Sequence, residues 1–154
     1  MNLNYCIKSF DELTNNELYN LLRLRSQIFV VEQNCPYLDL DNKDQKSFHL
    51  LYYVNNEFAG STRLVPAGLS FEEISIGRVV IADTHRGLGL GKKLMEASIA
   101  GCREKFGNGP IRIGAQYHLS NFYQSLGFVE RGEVYDEDGI PHIEMLLNHT
   151  STEE

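Results

Sequence analysis

The sequence predicts one α/β domain (α+β in the finer division), with a single mixed central sheet of about seven strands and helices on both faces. Three observations predict it. The chain has 154 residues, which suits one domain and is short for two. Its apolar patterns alternate between strand-like and helix-like periods in the order β-α-β-β-β-α-β-α-β-β. One glycine-rich turn joins a strand to a helix. We expect the domain to span residues 1–148 and the polar end, 149–154, to be a flexible tail.

The first elements are a strand and a well-marked helix. Alternating apolar residues predict a strand over Asn4–Ser9. Thr14 and Glu17 fit a capping box, so a helix should begin there and end near Phe29–Val31. The polar stretch Glu32–Lys46 then predicts a long loop.

A hairpin follows, because two strand-like runs, Phe48–Val54 and Phe58–Val65, flank the turn signal Asn55-Asn56. Ile74–Ile81 predicts another strand, in which Gly77 marks a weak point or a bulge.

The second half contains two helices and three strands. The apolar spacing predicts a helix over about Leu90–Phe106 and a short helix over Leu119–Leu126. The predicted strands are Ile111–Ala115, then Phe128–Val134 and His142–Leu147, the last two forming a hairpin across Asp136–Pro141.

Composition narrows the function classes. The formal net charge of -7 disfavours nucleic-acid binding, which needs a basic face. No apolar run approaches the roughly 20 residues of a membrane helix, and the first ten residues lack a signal-peptide pattern. We therefore expect a cytoplasmic protein without a membrane partner. The three cysteines do not pair closely, which argues against disulfides and a metal site.

The turn Arg86–Gly91 carries the strongest chemical signal. Its glycines at 87, 89 and 91 let backbone N–H groups approach a ligand, and the helix that begins there favours an anion. Lys92 adds positive charge. The turn lacks the first glycine of a P-loop, and no Gly-x-Gly-x-x-Gly register fits it. It therefore predicts a phosphate site of another kind.

The chain resembles the GNAT acyltransferase superfamily on two motifs. Arg86-x-x-Gly89-x-Gly91 matches its pyrophosphate motif, and Asn121–Phe128 contains its Tyr-x-x-x-Gly-Phe pattern. Longer stretches resemble the ElaA-like subgroup; they are Phe29–Gln33, Cys35–Tyr37, Ile76–Val79, Gly114–Gln116, Asn121–Ser125 and Glu137–Ile143. The resemblance covers roughly residues 4–148 and implies the GNAT fold and an N-acetyltransferase that uses acetyl-CoA as co-substrate and no metal.

The resemblance also implies roles for residues on the cofactor side. Tyr123 would be the general acid that protonates the departing thiolate. The other cofactor contacts that it implies are Val79 and Ile81 for the pantetheine arm, Arg86, Gly87, Leu88, Gly89, Leu90, Gly91 and Lys92 for the pyrophosphate, and Gln116 or Asn121 for a side-chain amide contact. Gln116 stands where many members carry Asn, so Asn121 is the alternative.

The acceptor side is less defined. N-acyl transfer needs a base that takes a proton from the amine, and the candidates are Glu32, His118, His142 and Glu144. Glu32 and His142 are the leading ones, and His118 is predicted to contact the substrate. One hypothesis is that Arg25, Arg63 and Arg78 form a cationic patch for an anionic acceptor. The alternative is that these arginines pair with the acidic run Asp39–Asp44.

Two other functions stay open. Acyl-homoserine-lactone synthases share an Arg25–Phe29 spacing and an Arg63-Leu64-x-Pro66 segment, although they usually lack the glycine turn. A non-catalytic acetyl-CoA sensor is the third hypothesis. The acceptor would be a small-molecule or peptide amine, and the superfamily resemblance leaves a homodimer open.

Overall fold

The computed structural model describes residues 1–148. The tail predicted at 149–154 lies outside the described residues.

The first sheet contains four antiparallel strands in the order β1-β2-β3-β4. They are β1 (Leu3–Ser9), β2 (Phe48–Val54), β3 (Glu57–Val65) and β4 (Ser75–Ile81). Asn55 and Asn56 connect β2 to β3 with φ angles of 50° and 68°. Two positive φ angles are what a tight two-residue hairpin turn requires, and Asn tolerates them. The predicted hairpin is confirmed.

The second sheet contains three antiparallel strands in the order β5-β7-β6. They are β5 (Ile111–Gln116), β6 (Val129–Glu137) and β7 (Ile140–Leu147). The predicted hairpin is confirmed, but its connection is shorter than the predicted Asp136–Pro141, because the strands continue up to a two-residue turn. That turn is Asp138-Gly139, with φ angles of 53° and 82°. An Asp-Gly pair is a strong hairpin signal that the sequence carries.

The predicted class is confirmed, but the seven strands form two hydrogen-bonded sheets instead of one. Within residues 1–148 the two sheets join only at a parallel bridge between Ile74 and Ile111, where the Arg112 amide donates to the Ile74 carbonyl at 2.8 Å. Beyond it β4 and β5 separate. The pairing of β3 with β4 shifts register between Ser61 and Arg63. Such a bulge bends the strand, which is the physical reason for the separation.

The helices are α1 (Asn15–Arg25), a π-helical continuation (Ser26–Glu32), α2 (Leu90–Phe106) and α3 (Ser120–Ser125). The capping box is confirmed, since the Glu17 amide donates to Thr14 Oγ1 at 3.1 Å and the Thr14 amide donates to Glu17 Oε1 at 2.9 Å. The first helix ends where the sequence predicts, but its last turns are π-helical, a form frequent at functional sites. No helix within the described range is long and apolar enough to cross a membrane.

Adjacent residues of β4 show that helices cover both faces of the first sheet. Val80 packs with Leu24 and Ile28 of the α1 region. Its neighbours Val79 and Ile81 pack in the cluster that contains Leu90 and Leu94 of α2. Because side chains alternate along a strand, α1 and α2 lie on opposite faces.

Candidate active site

A cavity of about 170 Å³ opens where β4 and β5 separate. Its walls come from these two strands, from the segment after the π-helix, and from the β6–β7 turn. The cavity brings together several residues predicted from distant parts of the sequence, namely Arg78, Val79, Gln116, Tyr123 and His142.

Tyr123 lies on α3 at the wall of this cavity. Its side chain is 6% exposed, and its ring makes edge contacts with Phe122 and Phe128 at centroid distances of 5.1 and 5.9 Å. Among the described residues no group hydrogen-bonds its hydroxyl. Burial raises the pKa of Tyr123 to about 12, so the phenol keeps its proton at neutral pH. A buried, protonated hydroxyl without a protein partner is available to a ligand.

Strand β4 presents an open edge to the cavity. It ends the first sheet, so its backbone groups on the β5 side are unpaired beyond the bridge at Ile74 within residues 1–148. Val79 lines the cavity, whereas Ile81 pairs with Gly60 of β3 at the far end of the strand. An extended ligand can add to such an edge as a further strand.

The bulge in β4 centres on Arg78, which has a φ of 47°. The sequence predicts the irregularity at Gly77, and the structure puts the left-handed residue one position later. A positive φ is costly for a residue with a long side chain, so neighbouring contacts must hold it. Arg78 is held by ion pairs with Asp39 and Asp41.

The predicted phosphate turn has the required local geometry. Gly87 and Gly89 have φ angles of 79° and 72°, which glycine adopts without strain. Helix α2 begins directly afterwards at Leu90. A Cβ added at Gly87 or Gly89 would meet no protein atom within 4 Å, so this face of the turn is open. The first N–H groups of an α-helix have no partner within the helix, Gly89 supplies no side-chain cap, and Lys92 lies in this first turn, so the arrangement suits an anion.

Glu32, a predicted catalytic base, lies at this turn and does not line the cavity. Its carboxylate pairs with Arg86 Nη1 at 2.7 Å, and both side chains are more than 40% exposed. The structure therefore separates Glu32 from Tyr123 and His142. The sequence could not show this, because Arg86, the partner of Glu32, is distant in the chain.

The amide and imidazole candidates near α3 differ in their positions. Gln116 ends β5 and lines the cavity, and its Oε1 lies 2.8 Å from His118 Nε2. His118 and Asn121 are exposed and do not line this cavity.

His142 is the third residue of β7 and is 7% exposed. Its Nδ1 lies 2.8 Å from the Ile140 carbonyl, which can only accept, so Nδ1 carries the proton. In the neutral ring Nε2 holds the lone pair, and Glu137 Oε2 lies 3.6 Å from it. Tyr135 packs on the imidazole ring with a centroid distance of 5.9 Å. A neutral histidine held in this tautomer can accept a proton through Nε2.

Three arginines and three aspartates form one buried network, which we call the Arg–Asp network. Arg25 donates to Asp39 at 2.8 Å and to both oxygens of Asp44 at 2.9 and 3.1 Å. The remaining ion pairs join Arg63 to Asp41 and Asp44, at 2.7 to 2.9 Å, and Arg78 to Asp39 and Asp41, at 2.7 and 3.3 Å. The formal charges cancel. The network ties α1, β3 and the β4 bulge to the loop that contains the aspartates.

The salt-bridge alternative for Arg25, Arg63 and Arg78 is therefore the arrangement that the structure shows. Arg25 and Arg63 are 0% and 4% exposed, and their guanidinium groups are occupied by carboxylates. Arg78 lines the cavity and also stacks over the Tyr37 ring at 5.9 Å. The three arginines do not form a free cationic patch for an anionic acceptor.

His49 is a buried group that sequence reasoning missed. Its Nε2 lies 2.9 Å from the Asp44 carbonyl, and its Nδ1 has no partner within the part of the chain that the structure describes. Burial lowers the pKa of His49, so the ring is neutral in the fold. Strand alternation places it inside, but no sequence signal separates it from an exposed histidine.

The Arg–Asp network predicts acid sensitivity. Burial opposes the ionisation of Asp41 and Asp44, but hydrogen bonds and charge from Arg63 and Arg25 outweigh it and lower both pKa values. A carboxylate whose folded pKa lies below its unfolded value of about 3.9 stabilises the fold above that pH. This stability is lost as the pH falls through the folded pKa. We expect the free energy of unfolding to drop steeply below about pH 4.

Urea unfolding between pH 3 and pH 7 measures this dependence. Asp41→Asn should lower the free energy of unfolding at pH 7 and make its decrease between pH 4 and pH 3 (the acid limb) less steep. The substitution Asp11→Asn, at an exposed residue, should change neither. An acid limb of unchanged slope in Asp41→Asn would contradict the assignment.

The cavity also contains residues that the sequence analysis did not single out as site residues. Cys35, Tyr37, Glu137 and Asp138 line it. The Cys35 thiol lies 3.4 Å from the Asp138 carbonyl, which joins the segment after the π-helix to the β6–β7 turn. All four lie in stretches that resemble the ElaA-like subgroup, and this resemblance was the sequence signal that could have identified them as site residues.

Comparisons with known proteins agree with this geometry. A family model described as an acetyltransferase (GNAT) domain matches residues 26–148. Protein ElaA of Escherichia coli (strain K12) is 44% identical over 136 residues, which cover 87% of this chain and 89% of that protein. The crystal structure of Escherichia coli ElaA matches with a TM-score of 0.88 and 40% identity, covering 96% of this chain and 100% of that one.

Two further solved structures are informative. An acyl-CoA N-acyltransferase from Pseudomonas aeruginosa matches with a TM-score of 0.90 and 38% identity, covering 95% of this chain and 99% of that one. An acetyltransferase from Bacillus subtilis in complex with CoA matches with a TM-score of 0.65 and 22% identity, covering 97% of this chain and 100% of that one. At that identity the likeness shows the fold alone.

Proposed function

The chain belongs to the acetyltransferase (GNAT) domain family, and from this premise we propose that it transfers an acetyl group from acetyl-CoA to a primary amine by direct attack. One observation carries the proposal. The buried, unpartnered hydroxyl of Tyr123 lines a cavity beside an open strand edge. The glycine turn that could hold a pyrophosphate follows that same strand.

The cofactor would lie along β4. The pantetheine arm would add to the open strand edge near Val79, and the pyrophosphate would accept hydrogen bonds from the N–H groups of residues 87–91. Arg86 would exchange its exposed pairing with Glu32 for the phosphates, at little energetic cost because an exposed ion pair is weak. The complex of the Bacillus subtilis fold relative with CoA supports this choice of ligand.

The chemistry follows from the groups at the cavity. The amine nitrogen attacks the thioester carbonyl and forms a C–N bond while the carbonyl electrons move to oxygen. His142 Nε2 takes a proton from the nitrogen. The C–S bond then breaks, and Tyr123 donates its proton to the thiolate. Solvent returns a proton to Tyr123 and removes one from His142, so the products are an amide and a free thiol.

The raised pKa of Tyr123 is compatible with this role. A phenol with a pKa of about 12 donates less readily than an exposed one with a pKa of about 10. The thiolate leaves into the same buried surroundings, however, and burial disfavours that anion as well. The proton transfer is therefore less uphill than solution values suggest.

Fewer observations support the two alternatives, the acyl-homoserine-lactone synthase and the acetyl-CoA sensor. The features shared with acyl-homoserine-lactone synthases include Arg25 and Arg63, and in this structure both arginines belong to the Arg–Asp network. The sensor hypothesis is decided by the Tyr123 substitution described in the Discussion.

Calorimetric titration with acetyl-CoA, and release of free thiol in the presence of a panel of amines, test the proposal together. We expect saturable acetyl-CoA binding and amine-dependent thiol release. Absence of either result would refute the proposal.

Gly89→Ala tests the proposed phosphate turn. Alanine at a φ of 72° costs about 1–2 kcal/mol, and its Cβ would enter the open space that the phosphates need. We expect the Kd for acetyl-CoA to rise at least about tenfold, which corresponds to about 1.4 kcal/mol.

Gly68→Ala is the matched control. Gly68 also has a positive φ, 90°, with no atom within 4 Å of an added Cβ, and it lies in the loop between β3 and β4. This variant should show a similar loss of stability with an unchanged Kd. Equal effects of both substitutions on the Kd would place the pyrophosphate elsewhere.

A further inference from the structure

The charges at the cavity are unevenly distributed. The only Arg or Lys side chain that lines it within residues 1–148 is Arg78. The carboxylates of Asp39 and Asp41 already neutralise its guanidinium. Glu137 and Asp138 line the opposite wall. The cavity therefore has a negative balance, and it favours a cation over an anion.

Glu137 and His142 face each other across a gap that suits a hydrogen-bond donor. Glu137 Oε2 lies 3.6 Å from His142 Nε2, which is too long for a direct hydrogen bond. When the ring carries its single proton on Nδ1, which donates to the Ile140 carbonyl, both Nε2 and Glu137 Oε2 are acceptors. Within the described chain no hydrogen bond reaches Nε2, although the side chain is 7% exposed. His142 is nearly buried and its Nε2 has no donor among the described residues, whereas the Glu137 carboxylate beside it is 56% exposed. A hydrogen-bond donor that enters the cavity can therefore bond both atoms.

An ammonium group has the matching chemistry, since it carries three donors and a positive charge. From this arrangement we infer that Glu137 binds the acceptor amine as an ammonium ion and presents it to His142. The inference rests on the proposed acetyl transfer and specifies its acceptor. His142 accepts one proton from the ammonium nitrogen and releases it to solvent, which leaves the neutral amine with a lone pair for the thioester carbonyl. After the attack His142 takes the second proton from the nitrogen, as in the transfer proposed above. Glu137 then lies beside the resulting imidazolium and stabilises it.

This assignment predicts a substrate class. A carboxylate on the carbon next to the amine, as in α-amino acids, would approach Glu137 and Asp138 without a free cation to compensate. Like charges brought together in an interface are strongly unfavourable. The site therefore selects primary amines that carry no carboxylate beside the nitrogen.

Matched pairs of amines test the inference. Isoamylamine and leucine differ only by the carboxylate, as do phenethylamine and phenylalanine. With acetyl-CoA saturating, we expect kcat/KM for each amine to exceed that for its amino acid by at least about tenfold. Glu137→Gln should raise KM for the amines and reduce this preference to within about threefold. Glu133→Gln removes an exposed charge from the same strand and should leave both values unchanged.

The outcomes distinguish failure of this inference from failure of the proposed acetyl transfer. Acetylation of both members of each pair at equal efficiency, or a preference that Glu137→Gln leaves intact, overturns the inference while acetyl transfer stands. Binding of acetyl-CoA without acetylation of any amine overturns the proposed function and the inference together. Unchanged melting temperatures of the two variants exclude unfolding as the cause, since both side chains lie at the surface.

Discussion

Arg25→Ala is expected to lower the free energy of unfolding by about 3–5 kcal/mol, the usual cost of removing one partner from a buried ion pair. Arg25 is 0% exposed, and its guanidinium bonds Asp39 and Asp44, which are each 6% exposed. The substitution leaves a net negative charge inside the Arg–Asp network. It also removes the connection between α1 and the aspartate loop, so Arg78 and the β4 bulge should lose part of their support.

Urea denaturation measures this difference. Arg23→Ala is the control, because Arg23 lies on the same helix and is exposed; it should change the free energy by less than about 0.5 kcal/mol. A loss below about 1 kcal/mol in Arg25→Ala would mean that water or side-chain movement compensates the buried carboxylates. The network would then not be the main support of this region.

Tyr123→Phe is expected to lower kcat by about 10²- to 10⁴-fold, the usual range for removing a general acid. Phenylalanine keeps the ring contacts with Phe122 and Phe128. The hydroxyl has no partner among the described residues, so its removal breaks no hydrogen bond of the protein. The Kd for acetyl-CoA and the unfolding free energy should therefore change little.

Steady-state kinetics with saturating acetyl-CoA and an accepted amine provide the measurement. Tyr117→Phe is the control, because Tyr117 precedes α3 and is 46% exposed; its kcat should match that of the wild type. If Tyr123→Phe keeps full activity, Tyr123 is a core aromatic residue. If acetyl-CoA binds but no amine is acetylated by either protein, the sensor hypothesis is favoured.

Local signals predicted most of the elements. The Thr14 capping box marks the start of α1, and Asn55-Asn56 marks the first hairpin, because caps and tight turns depend on residues close in sequence. Helix α2 has the bounds that the sequence predicts. The β6–β7 hairpin also agrees with the sequence, although its turn is only Asp138-Gly139, a pair that carries the same kind of signal.

The tertiary structure decided the rest. Separation of β4 from β5 depends on a register shift at Arg78, and register depends on the partner strand, which the sequence of β4 alone does not contain. The same holds for the Arg–Asp network, where Arg25 and Asp44 are neighbours only because α1 and the aspartate loop pack together. Glu32 was a plausible base by its position in the chain. In the structure its carboxylate pairs with Arg86 and does not line the cavity.

By itself the sequence determined the family, the order of the elements and the glycine turn at Arg86–Gly91, because these depend on short-range patterns and local backbone freedom. Only the tertiary structure determined which charges remain free at the cavity. The sequence does not show whether the charge of an arginine or aspartate is paired or free, because its pairing depends on neighbours that are distant in the chain. For this protein the fold neutralises Arg78 and leaves Glu137 facing His142, and this is the basis for expecting an ammonium acceptor.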